Sequence, residues 1–253
     1  MDYNHKESKI ITELFNHFFR EGVSFVVPRG HENLPNSVPG GDIDIIVRVD
    51  DFEQAIHLSE KLGFGPKKGP LSRVTSLAGT GLRNPVSTIS YIISKPGMAI
   101  SKITDSATGP NPTSRASRKY SEWKGWNGEV MIHFMNHLAY ESPMNGRMIR
   151  VDQEVEDSLF SNSQKSNGVS IPSEVDELCH LLCRGIFSKN GEFPEYYISR
   201  CNYLRNNMLS SEEERFDQHL SMLFFNADTL VKQRVKEGKY NTLRDDLNTF
   251  SDY

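Results

Sequence analysis

The sequence predicts an α/β (α+β) chain: a small mixed-sheet domain followed by a C-terminal helical domain. Three observations point there. Short β-branched runs alternate with amphipathic helical stretches up to about residue 134. Beyond Pro172 the apolar spacing is helical throughout. The length, 253 residues, suits one large domain or two modest ones, here divided as 1–160 and 161–253.

The elements follow in order. Ile10, Ile11, Leu14, Phe15, Phe18 and Phe19 recur at helical spacing over about 6–21, and Gly22 ends that helix. Val23–Val27 reads as a buried strand, followed by a turn-rich loop through Pro39-Gly40-Gly41. Ile43, Ile45, Ile46, Val47 and Val49 mark a second strand. Asp50 with Glu53 resembles a capping box for a helix near 51–62. Strands are expected at Val86–Ser94, Met98–Ile103 and Glu129–Phe134, with a long loop over Thr108–Ser121 and a polar linker over Ser161–Ser170. Ser173 and Asp176 cap a helix through about Phe187, with Val175, Leu178, Leu181 and Leu182 inward. A helix over 194–207 comes next. One long helix from a Ser211/Glu214 box then carries Phe216, Leu220, Leu223, Phe224, Ala227, Leu230 and Val231.

Composition limits the function classes. No apolar run approaches the roughly 20 residues of a membrane span. The polar N-terminus lacks a signal-peptide core. Three cysteines without a C-x-x-C pair do not make a disulfide scaffold. A cytoplasmic protein is the expectation. The net charge of −4 hides an asymmetry: residues 65–125 hold ten Lys and Arg against Asp105 and Glu122. Such a stretch suits anions such as phosphates, or else a solvated face. The acidic total and the lack of a stacking motif argue against a nucleic-acid partner.

The most informative segment runs Val26-Val27-Pro28-Arg29-Gly30, a loop, then Gly41-Asp42-Ile43-Asp44-Ile45-Ile46-Val47. Two aspartates two apart on a strand project from one face. Side by side they repel unless neutralised, and a hard divalent cation that also binds nucleotide phosphates does this well. The segment resembles the nucleotidyltransferase superfamily, the polymerase-beta-like fold, and in particular uncharacterised bacterial members that begin with an R-G turn, an N-L-P and a D-I-D-I strand. Here these read Arg29-Gly30-His31-Glu32-Asn33-Leu34-Pro35 and Asp42-Ile43-Asp44-Ile45.

The resemblance implies Mg²⁺ (or Mn²⁺) on Asp42 and Asp44, and NTP phosphates near Arg29, Gly30, His31 and Gly41. The implied reaction is transfer of a nucleoside monophosphate to an unknown hydroxyl or phosphate acceptor. His31 stands where the family usually has a second small residue. A third carboxylate is expected on a later strand, and Val130-Met131-Ile132-His133-Phe134 places His133 there, beside Asp42 and Asp44 as the third catalytic candidate. Histidine is a poor Mg²⁺ ligand. A catalytically impaired nucleotide-binding or regulatory protein on the same scaffold is therefore the alternative.

Other candidates are weaker. His133 and His137 form H-x-x-x-H without the glutamate of a zinc protease, and on a strand. Cys179, Cys183 and Cys201 read as core residues. Tyr196, Tyr197, Tyr203 and Arg200 share a helix, where packing against a neighbouring helix outweighs a place in the cleft.

Overall fold

This computed structural model describes residues 3–38, 41–66, 120–142, 147–189 and 191–248. The apolar stripe of the first segment makes α1 (Tyr3–Glu21), with Ile11, Leu14, Phe15 and Phe18 buried. β1 (Phe25–Val26), β2 (Asp42–Val47), α2 (Phe52–Lys61), β3 (Glu122–Asn127) and β4 (Val130–Met135) follow. The four strands form a mixed sheet in the order β1-β2-β4-β3. β2 runs antiparallel to β1 and parallel to β4, and β3 is antiparallel to β4.

Alternation along each strand gives the sheet two faces. Phe25, Ile43, Ile45, Val47, Val130, Ile132 and Phe134 share one core with α1 and α2. Aromatic rings knit it, with Phe15 stacked on Phe25 at 5.4 Å and Trp123 on Phe134 at 5.3 Å. Val26, Ile46 and Met135 point the other way, into a second core made mostly of helices.

A hairpin of β5 (Ala139–Glu141) and β6 (Met148–Arg150) precedes α3 (Gln153–Ser161). The expected linker at 161–170 is ordered: β7 (Gln164–Ser166) and β8 (Val169–Ile171) form a hairpin, and the Val27 amide donates to the Ser170 carbonyl. Val169 is buried in the first core, so one apolar residue in a polar run anchors it.

The helical region holds α4 (Glu174–Cys183), a π-helical turn Arg184–Ser188, α5 (Glu195–Asn207), α6 (Glu213–Phe224), α7 (Asp228–Lys236) and α8 (Leu243–Asn248). Ser173 caps α4 by accepting from the Asp176 amide, as its sequence predicts. Three local expectations change. Asp51, not Asp50, flanks α2, and its carboxylate accepts from the Ser24 amide rather than capping the helix. Glu212 reaches back to the Leu209 amide, displacing the Ser211/Glu214 box. The long last helix breaks at Phe225, where φ is +51°, into α6 and α7. The strands expected at 86–94 and 98–103, the loop up to residue 119 and most of the basic stretch lie outside the described residues. Among the described residues, no helix is long and apolar enough to cross a membrane.

Candidate active site on the second sheet face

Asp42, Asp44 and Ile46 share the second face of β2. Ile46 is swallowed by the helical core, whereas Asp42 at the strand's start is exposed and Asp44 between them is 7 % exposed. On the parallel neighbour β4, Met131 lies opposite Asp42 and His133 opposite Asp44. β3 adds Glu122 and Lys124 to this face, since Trp123 between them packs on Phe134 in the other core.

Two turns need glycine here. Gly30 (φ +66°) lets the chain reverse after β1, so that Arg29 reaches Asp44. Gly41 (φ +75°) leads into β2 where a Cβ would stand 3.2 Å from the Glu129 carbonyl.

Asp44 is surrounded by cations. Arg29 donates to Oδ2 at 2.5 Å, Arg184 from the π turn lies 3.4 Å from the same oxygen, and His133 Nδ1 is 3.2 Å from Oδ1. Burial alone would raise the Asp44 pKa, but the His133 hydrogen bond and the two guanidiniums hold it well below the usual carboxylate range. The other ring nitrogen of His133, Nε2, is 2.8 Å from Glu122 Oε2. With a carboxylate at each nitrogen, the imidazole donates twice and is an imidazolium. Burial opposes that charge, but the bonds to Asp44 and Glu122 outweigh it and raise the His133 pKa. Glu122 is shifted down, chiefly by the His133 bond. Its Oε2 also accepts from the Tyr120 hydroxyl at 3.4 Å, and Lys124 Nζ lies 3.8 Å from Oε1.

A second network fastens the R-G-H-E turn to the helices. His31 is buried, with Nε2 3.2 Å from Glu177 Oε2 on α4. Arg200 on α5 grips the same glutamate through two bonds of 2.7 and 2.6 Å and lies 3.5 Å from Glu32. The Tyr196 hydroxyl donates to Glu32 at 2.8 Å. Burial would raise the Glu177 pKa, yet Arg200 and His31 bring it below its ordinary value.

The structure therefore brings Arg29, Asp44 and His133 together, with Asp42 beside them. The His31 ring instead belongs to the clasp on Glu177. Tyr197 packs in the helical core, and Tyr203 is half exposed beneath the Arg200 guanidinium. His137 pairs with buried Glu156 at 3.0 Å, and the three cysteines are buried. Two site residues escape the sequence reading. Glu122 belongs to an alternating Glu-Trp-Lys-Gly-Trp-Asn run that could have been read as a strand. Arg184 follows a buried helix, and no local pattern marks it.

The donor set can be tested against a divalent cation. Two carboxylates from one strand suit Mg²⁺ when phosphate oxygens and water complete its shell. They do not make a protein-only cage. Among the described residues no three His, Cys, Asp or Glu side chains converge as metal ligands. At Asp44, guanidinium and imidazolium groups supply the positive charge that the carboxylate requires. The residues fit a cation carried in by phosphates. Compared with known proteins, the chain matches no family model, no curated protein and no solved structure.

Proposed function

We propose that this chain binds a nucleoside triphosphate with Mg²⁺ or Mn²⁺ at Asp42 and Asp44 and transfers its nucleoside monophosphate to a hydroxyl or phosphate acceptor. The chief support is the pairing of an exposed and a buried carboxylate on one strand face, next to Arg29, Arg184, Lys124 and His133. The carboxylates offer hard oxygens, and the cations offer phosphate contacts. When bound, the divalent cation supplies charge neutralisation along the phosphates. The rest of the catalysis is positioning. Arg29 orients phosphate oxygens through its planar fork. Glu177 and Arg200 fix the turn that carries it. His133, charged and bonded at both nitrogens, is not a base. Glu122 Oε1 is then the acceptor for the attacking hydroxyl's proton, and its lowered pKa makes that base weak.

One observation favours a second reading, nucleotide binding without turnover. The register places Met131 and His133, not a carboxylate, opposite Asp42 and Asp44. The two readings separate on incubation with α-labelled ATP, CTP, GTP and UTP plus Mg²⁺ or Mn²⁺. Transfer gives a labelled product and pyrophosphate, both lost in Asp42→Asn. Metal-dependent binding without pyrophosphate establishes the second reading. No binding of any NTP refutes both.

A further inference from the structure

Arg29 and Arg184 come from distant parts of the chain, the turn after β1 and the π turn after α4. Both place a terminal NH2 group at Oδ2 of Asp44. Two guanidiniums meet at one carboxylate oxygen, while His133 at the other oxygen is shared with Glu122. Both arginines are mostly buried, with side chains 23 % and 25 % exposed. Each also has its Nε–H buried with no hydrogen-bond partner among the described residues. A buried donor without an acceptor is costly. Arg215 has an unpartnered Nε too, so one such group is no signal. Two of them on arginines that converge on one point is the observation that needs an explanation.

We propose that Arg29 and Arg184 form a clamp for a polyphosphate tail, and that Asp44 fills this clamp in the ligand-free protein. A carboxylate offers only two oxygens to two guanidinium forks. A di- or triphosphate offers several more, enough for the terminal and Nε–H donors of both arginines. The ligand class is a polyphosphate, free or on a nucleotide. The clamp deepens the reading of Asp42 and Asp44 as cation ligands, and it has a consequence there. A phosphate that takes the arginines frees Asp44 Oδ2 for a cation, and a cation at Asp44 frees the arginines for phosphate. The two ligands assist each other reciprocally, by about 10- to 100-fold.

The test is calorimetric titration of the full chain with inorganic tripolyphosphate in EDTA, where no divalent cation acts. Wild type should bind weakly, because Asp44 competes. Asp44→Asn removes the competitor and should bind about 10-fold tighter or more. Adding Arg184→Ala or Arg29→Ala to that variant should abolish the gain. This direction is opposite to the loss of metal-dependent NTP binding expected of Asp44→Asn, so clamp and cation site fail separately. Unchanged affinity in Asp44→Asn, or a gain that survives Arg184→Ala, overturns the clamp even if metal-dependent NTP binding is found. Should Asp44→Asn not fold, Arg184→Ala alone decides. Asp44 there keeps Arg29 and His133, and metal-free tripolyphosphate binding should still fall about 10-fold. Wild-type affinity in that variant refutes the proposal.

Discussion

Asp44→Asn and Asp42→Asn are the same chemical change two residues apart, and they should differ sharply in stability. Asparagine matches aspartate in size, so packing is preserved and only the charge is removed. At Asp44 the loss leaves Arg29, Arg184 and His133 facing one another with their shared counter-ion gone. Removing one partner of a buried ion pair costs about 3–5 kcal/mol. The two arginine side chains are about one-quarter exposed and can partly rehydrate, which brings the expectation to about 2–4 kcal/mol. For a chain of this length that lowers Tm by about 5–15 °C. Asp42 is exposed, and its substitution should stay within about 0.5 kcal/mol. Urea denaturation followed by circular dichroism, with thermal melts in parallel, measures both. If Asp44→Asn is as stable as Asp42→Asn, the cationic cluster does not hold Asp44 as described.

Three further outcomes are expected. Met131→Asp places a carboxylate opposite Asp42 and should tighten Mn²⁺ binding without nucleotide, read by calorimetry; unchanged affinity shows that a carboxylate at this register position adds no ligand. Asp176 and Glu177 are buried with lowered pKa values, so their stabilisation is complete above the unfolded carboxylate range near pH 4 and is lost as pH falls through their folded values. The carboxylate contribution to the urea midpoint should thus be constant above about pH 5 and fall below about pH 4, with Asp176→Asn losing part of that slope. In Gly125→Ala the new methyl would overlap the Trp123 indole, which is stacked on Phe134; a cost of about 1–3 kcal/mol with altered tryptophan fluorescence is expected, and a neutral substitution would show the ring free to move.

What the sequence reveals depends on whether a residue's role is local. The first helix, the D-I-D-I strand and the Ser173 cap are fixed by spacing within a few residues, and each is present in the structure. The pairing of Asp44 with His133 follows from two strand patterns and one parallel register. β3 lies just before the strand expected at Glu129–Phe134, and its outward Glu122 and Lys124 hide the apolar alternation of a short strand. Their charge makes sense only once the strand borders Asp44. The β7–β8 hairpin reads in the sequence as a polar linker because its first strand, Gln164–Ser166, is wholly exposed. Arg184 could not be found at all, since its role depends on where the end of α4 meets a strand some 140 residues earlier. The contact of the His31 ring with Glu177 is not legible locally, since the two lie 146 residues apart.

The second face of the sheet explains why the site needs the helices. Asp44 and Ile46 are two residues apart on β2, a step of about 7 Å along a strand. Across that step the face changes from a charged cluster to the apolar core that holds Leu178, Leu181 and Leu182 of α4. The π turn that follows α4 brings Arg184 beside Asp44. This turn spans Arg184–Ser188, and local π turns re-aim side chains where a regular helix would not place them. Phe193 packs so closely on Gly185 that a Cβ there would overlap its ring, which pins this turn from the far side. On the sheet side, Arg29 follows a strand whose Val26 lies in that core, and the His31–Glu177–Arg200 clasp ties the turn to α4 and α5. Both arginines are thus held by the same packed unit, and the charge at the site is fixed in place before any ligand arrives. A guanidinium on a mobile loop would lose rotamer freedom on binding. These two are held by packing before any ligand arrives, which is what the proposed clamp requires.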